Sequence, residues 1–194
     1  MFHYYALYKP FQVLSQFTPE ADKLCLKNII DVPSNVYPLG RLDYDSEGLL
    51  LLTNDASVNA KLLHPKTKHS KTYWVQVEGA ITPQAIQQLA QGVSISINGK
   101  QHTTLPAKVK ILPQEPLLPP RSTPIRFRKN IPTSWVSITL HEGKNRQVRK
   151  MTAAVGFPTL RLVRYSMEKI TIENMQPADL VSFSQKEFFH LLGW

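Results

Sequence analysis

One cysteine, Cys25, stands in 194 residues, so no disulfide framework and no cysteine-based metal cluster can form. That composition suits a reduced, cytosolic compartment. The six histidines are scattered, and none falls in a helical metal-ligand spacing with a carboxylate. No apolar run approaches the roughly 20 residues that span a bilayer. The opening "MFHYYALYKP" lacks the basic region and apolar core of a secretory signal. Internal repeats and low-complexity tracts are absent as well. What remains is an ordinary globular composition, 42% hydrophobic. A chain of this length buries roughly 70% of the surface its unfolded form exposes, enough to fold without staples.

Acids are scarce where bases gather. The net charge of +9 comes from 23 lysines and arginines against 14 acids. Between Arg121 and Arg164, ten bases face a single acid, Glu142, and the rest of the chain balances thirteen bases with thirteen acids. The whole excess therefore lies in one stretch, the electrostatic footprint of a polyphosphate partner. Binding to nucleic acid is the expectation, ahead of a solvated basic surface that merely keeps the chain in solution, with no membrane partner.

Periodicity predicts an α+β chain with a mostly antiparallel sheet. "FHYYALYKP", "LLLLTN", "KTYWVQVEG", "VSISING", "PAKVKIL", "SWVSITLHE" and "TLRLVRYSM" read as strands. In "KTYWVQVEG", Tyr73, Val75 and Val77 share one face, and Thr72, Trp74 and Gln76 the other. "KLCLKNII", "SVNAKLLHP", "PQAIQQLAQG", "NRQVRKMTAAVG" and "QKEFFHLL" read as helices. Pro65 stops the second of these, and Asn145 is the expected N-cap of the fourth, with Gly156 as its stop. On that fourth helix Arg146, Arg149 and Lys150 share a face, opposite Val148, Met151 and Val155. Prolines at 113, 116, 119, 120, 124 and 132 make the intervening segment an irregular arm. Within it "RFRK", Arg126 to Lys129, interleaves an aromatic with three bases, which suits a loop gripping nucleic acid through Arg126, Arg128 and Lys129 and equally a merely exposed loop.

One acidic stretch stands out against this basic background: "GRLDYDSEGLLLLTND", residues 40–55. Asp43, Asp45, Glu47 and Gly48 meet the first demands of a calcium loop. Position twelve of such a loop is Asn54, which lacks the bidentate carboxylate, and a leucine strand follows where a helix is required. A surface turn accounts for Asp45, Ser46 and Glu47. Asp43 sits closer to the coming buried strand, where a carboxylate needs a partner cation. Asp43 and Asp45 lie too close together to flank a sugar as a glycosidase pair. The residues alone point to one placed carboxylate and a distant cation, without naming a reaction.

These residues resemble the active-site motif of pseudouridine synthases of the RsuA-like group. "YKPFQVLSQF" is similar to that family's opening Lys-Pro segment, "KTYWVQVEG" to its tyrosine strand and "EGKNRQVRKMTAAVGFPTLRLVR" to its third motif, in the same order over residues 8–164. The proline-rich arm with "PIRFRKNIPTSW" is similar to a branch that acts on the ribosomal large subunit. Ser46 stands where the family usually has threonine, Ala56 where glycine is common, and "YSMEKITIENMQPADL" departs from the family pattern. The resemblance implies one catalytic domain over residues 1–194, two lobes of bent, mostly antiparallel sheet around a central cleft, without an N-terminal S4 domain. It implies isomerisation of uridine within RNA, with no cofactor and no metal. Residue by residue it implies Asp43 as the catalytic carboxylate, Arg149 as its cation, Tyr73 against the extruded base and Arg41 in the gap that base leaves. Arg146 and Lys150 would hold phosphate. The partner implied is ribosomal RNA, foremost 23S RNA or an assembling large-subunit fragment, met by a monomer. A 16S or transfer RNA target, or a non-catalytic assembly protein on the same scaffold, stays open at this point.

Overall fold

The computed structural model describes residues 1–63, 67–125 and 128–194. The predicted stop at Pro65 and the arm residue Arg126 lie outside the described residues. The chain forms two compact units, residues 1–69 with 164–194, and residues 70–163. In chain order the first unit contains strands β1 (Tyr4–Lys9), β2 (Val13–Leu14), β3 (Leu24–Cys25), β4 (Tyr37–Pro38) and β5 (Glu47–Thr53), then helix α1 (Ala56–Leu63). The second contains β6 (Lys71–Glu78), α2 (Pro83–Gln91), β7 (Ser94–Ile97), β8 (Lys100–Thr103), β9 (Lys108–Leu112), β10 (Thr133–Leu140) and α3 (Gln147–Ala154). β11 (Thr159–Met167) belongs to the second unit up to Val163 and to the first from Arg164, and β12 (Ile170–Thr171), β13 (Leu180–Phe183) and α4 (Gln185–Leu191) complete the first. Among the described residues, no helix is long and apolar enough to cross a membrane.

In the first unit β1 lies between β5 and β13, antiparallel to both. The run of four leucines makes β5 an inner strand with both faces covered, and every residue from Glu47 to Thr53 is buried. Leu7, Val13, Leu26, Val36, Leu50 and Leu52 form the core on one side. α4 starts in a reciprocal cap, in which the Glu187 N–H donates to Ser184 Oγ and the Ser184 N–H donates to the Glu187 carboxylate. It buries Phe188 against Tyr4 and Phe183, ring centroids 5.1 and 6.0 Å apart.

In the second unit β10 is flanked by β6 and β9, again antiparallel. Val75 and Val77 of β6 are fully buried with Tyr73 packed beside them, as the alternation predicts. Val136, Ile138 and Leu140 of β10, Leu89 of α2, and Val148 and Met151 of α3 close that core. α2 is capped by Thr82, whose hydroxyl accepts from the Ala85 N–H.

The structure differs from the sequence expectation at "KLCLKNII" and in five additional strands, β2, β4, β8, β12 and β13. "KLCLKNII" contributes β3 and a single 3-10 turn, Leu26–Asn28, in place of a helix. Leu24 and Cys25 pair with β2, and Asn28 Oδ1 takes the Cys25 N–H at 2.8 Å, so neighbouring backbone satisfies what an α-helix would have satisfied internally. β8 is an additional strand; it folds back on β7 through Asn98-Gly99, both with positive φ, the turn an Asn-Gly pair favours between strands.

Gly48 is where the acidic stretch enters β5. Its φ is +102°, and a Cβ there would lie 2.4 Å from the carbonyl oxygen of Arg164 and 2.8 Å from its nitrogen. Backbone meets backbone, so no side chain can swing aside. Gly48→Ala is expected to lower stability by about 2–4 kcal/mol, from left-handed strain plus forced separation of the two segments. In thermal unfolding this appears as a drop of roughly 5–15 °C; an unchanged transition would contradict the close approach.

Candidate active site

The loop that carries Asp43 is held by its neighbours' main chain. The Ser15 hydroxyl, itself buried, donates to the Leu42 carbonyl at 2.8 Å and accepts the Leu42 N–H at 3.0 Å. On the other side the Gln12 N–H donates to the Tyr44 carbonyl at 2.9 Å, and the Ser46 N–H returns to the Asp43 carbonyl at 3.0 Å. Residues flanking Asp43 on both sides are thus fixed by the 12–15 segment that follows the Lys-Pro pair. Leu42 points into the core, Asp43 is half-buried and Arg41 is exposed. A carboxylate at that depth keeps access to a ligand while losing part of its water.

Its electrostatic surroundings begin one strand away. Lys9 ends β1 with 0% exposure, and its ammonium donates to the carbonyls of Pro10 at 2.8 Å and Val13 at 2.7 Å. Burial pushes its pKa from 10.5 down to about 7. The negative charges of Glu47, Asp45 and Asp43 oppose that shift, and the Arg164 guanidinium reinforces it. Arg164 is buried as well and donates Nε to the Leu49 carbonyl at 2.7 Å. The acidic stretch therefore has cations of its own unit within electrostatic reach. Sequence reasoning, which looked for a distant arginine, did not foresee Lys9 and Arg164; the one available signal was a lysine ending a strand that is otherwise apolar and aromatic.

The second unit holds Tyr73, Arg128, Lys129, Arg146, Arg149 and Lys150, while Arg41 and Asp43 lie in the first. Tyr73 is half-buried on β6, opposite Ile138 of β10, on the core side. Trp74 points to the other face, opposite Ser137. α3 begins one residue later than predicted: its N-cap is Arg146, in the left-handed region at φ 51°, and not Asn145. The cause is a buried side chain. Gln147 accepts the Lys144 N–H at 2.9 Å and donates to Glu142 Oε1 at 2.6 Å. Glu142 also accepts the Leu105 N–H at 2.8 Å and lies 3.2 Å from His102 Nε2. That network sets the turn into α3, leaving Arg146 exposed, Arg149 half-buried with its Nε shielded from water, and Val148 and Met151 in the core. Lys150 donates to the Ser96 carbonyl at 2.8 Å.

The arm has no regular structure among its described residues, as its prolines predict. Arg128 is tied to both Glu78 oxygens, at 3.1 and 3.2 Å, and Lys129 is exposed. Beside the arm a groove of about 570 Å³ runs along Gln76, Glu78, Ile125, Arg128, Lys129 and Leu160. Among the described residues no group of three or more His, Cys, Asp or Glu side chains is placed to hold a metal ion.

The depressed pKa of Lys9 has a measurable consequence. Above about pH 7 the folded chain has released the Lys9 proton, while the unfolded chain keeps it to about 10.5. The unfolded state binds more protons across that window, so this group makes stability rise with pH, by up to about 5 kcal/mol. Denaturant titrations between pH 6.5 and 9.5 are expected to give a climbing midpoint for the natural chain and a flatter one for Lys9→Met. Equal slopes would contradict the buried ammonium.

Residues 3–154 match the RNA pseudouridylate synthase family. The ribosomal large subunit pseudouridine synthase E of Vibrio vulnificus (strain CMCP6) is 53% identical over 171 residues, covering 88% of this chain and 70% of that protein. The enzyme of the same name from Xanthomonas axonopodis pv. citri (strain 306) is 46% identical over 173 residues, covering 88% of each. A crystal structure of a pseudouridylate synthase, 26% identical, superposes with a TM-score of 0.78 over 98% of this chain and 74% of that one. With the family's α+β fold and its motifs in order from the Lys-Pro segment to α3, this chain belongs to the RNA pseudouridylate synthases and is an RNA-modifying isomerase.

Proposed function

We propose that this chain converts a uridine of the large-subunit ribosomal RNA, 23S RNA, into pseudouridine, as one catalytic domain working without a cofactor. Asp43 is the carboxylate that acts on the nucleotide. The bond from ribose C1′ to N1 of uracil breaks, the base turns and C5 bonds to C1′. The C5 hydrogen leaves to water and N1 takes a proton, so the atoms balance with no co-reactant. Arg149 takes the role of the carboxylate's cation that the family motif implies. Tyr73 receives the extruded base on its ring, a contact worth about 1–3 kcal/mol, and Arg41 fills the space that base vacates. Arg146, Lys150, Arg126, Arg128 and Lys129 take phosphates.

One observation carries this reading: a half-buried aspartate whose flanking residues are fixed on both sides, by Ser15 on Leu42 and by Gln12 on Tyr44. A binding protein has no use for a carboxylate placed so rigidly in a basic molecule. Turnover does, because a reacting group must be held in its geometry before the substrate arrives. The large-subunit names of relatives at 46–53% identity support the choice of RNA.

The test is release of tritium to water from unmodified 23S RNA carrying tritium on C5 of its uracils, followed by mapping of the product. Stoichiometric release at one position is the expected result. No release, with RNA still bound, would leave a binding protein on an enzyme's scaffold. Affinity for that RNA is further expected to fall with salt, with a log–log slope of about −0.7 to −0.9 per phosphate contact; a flat response would remove the basic stretch as the RNA face.

A further inference from the structure

Leu117 is 101% exposed, as open as a leucine in an extended peptide, and it stands in the middle of the proline-rich arm. An isolated exposed leucine on a floppy loop would mean nothing. This one is carried on a stiffened and anchored segment. Prolines at 116, 119 and 120 restrict the backbone on both sides of it. Two residues further on, the Pro119 carbonyl accepts a hydrogen bond at 2.8 Å from Nη2 of Arg161, a side chain only 7% exposed. The Arg121 guanidinium folds back onto the Thr123 carbonyl. A buried arginine spent on one loop carbonyl fixes where the arm runs and leaves Leu117 pointing to solvent.

The charge of its own segment indicates what would cover it. Arg121, four residues on, is half-exposed, and Arg128 and Lys129 further along the arm are exposed. The one acid on the arm between residues 113 and 132 is Glu115. An apolar protein partner would have to accept that basic arm. RNA has its own use for both features, since its phosphates match the arm's charge and the face of an unstacked base matches the leucine. Apolar side chains on basic proteins act in this way as wedges at base steps, and folded RNA exposes base faces at its bulges and junctions.

We propose that Leu117 is an RNA wedge: its side chain seats against the face of a base at an interrupted stack in the substrate RNA, while Arg121, Arg128 and Lys129 of the same arm take the flanking phosphates. This rests on the reading that the chain acts on structured ribosomal RNA, and it makes the arm a reader of RNA shape in addition to a source of charge. Because the leucine is fully exposed, replacing it leaves the fold untouched.

The experiment compares the full chain with its Leu117→Ala and Leu117→Trp variants, using an unmodified 23S RNA transcript and an oligouridine single strand as probes. For the transcript, Leu117→Ala is expected to bind about tenfold more weakly, the size of losing one buried leucine contact. The salt slope should not change, because no charge is removed. Leu117→Trp should restore affinity through stacking, and oligouridine, which has no stack to enter, should bind all three alike. Three results would overturn the wedge: equal affinity of wild type and Leu117→Ala for the transcript, equal losses on both RNAs, or failure of tryptophan to restore binding. Tritium release by the wild-type chain separates the two ideas. Release together with an indifferent Leu117→Ala ends the wedge alone, whereas a wild-type chain that binds neither RNA ends both.

Discussion

A single buried ammonium organises the acidic end of this molecule. Lys9 ties the carbonyls of Pro10 and Val13 together inside the fold, and that tie shapes the segment whose Gln12 and Ser15 hold the residues on either side of Asp43. When protonated, below about pH 7, the same group lies within electrostatic reach of Asp43, Asp45 and Glu47. Burying a lysine costs several kcal/mol; the two carbonyls and the nearby carboxylates offset part of that cost, and the depressed pKa reports the remainder. Gly48 completes the arrangement by letting β5 pass against the backbone of Arg164 where a side chain would not fit.

The basic stretch divides its residues between two jobs that a count of charge cannot separate. Arg161 and Arg164 belong to the basic stretch by sequence, yet both are buried and spend hydrogen bonds on the carbonyls of Pro119 and Leu49. They build the scaffold. Arg146 and Lys129 are exposed, Arg128 is tethered to Glu78 and Lys150 rests on the Ser96 carbonyl. These charges stay at the surface, and the tethered ones have already lost part of their side-chain freedom.

Much of this was legible in the sequence, for identifiable reasons. Strict alternation in "KTYWVQVEG" and the leucine run of β5 report burial directly, because one residue out of register would expose the core face. Pro83 and Gly92 punctuate α2 as local chemistry requires. Asp43, Tyr73 and Arg149 came from motif resemblance, since spacing alone named one placed carboxylate and no reaction. What stayed hidden depends on contacts remote in sequence. A lysine at a strand end reads as solvent-facing until Val13 and Pro10 close over it. The start of α3 reads as Asn145 until the Gln147 amide is found buried against Glu142. Asn98-Gly99 is the exception, a local turn signal that by itself calls for a strand folding back as β8.

The central claim is that one carboxylate performs the isomerisation while the rest of the chain binds and places the RNA. Parallel measurement of RNA affinity and single-turnover rate for Asp43→Asn addresses it most directly, because the amide keeps the shape and removes the charge. The account predicts affinity within about twofold of the natural chain and a rate reduced to background. Affinity and rate falling together, or turnover that survives the substitution, would contradict it.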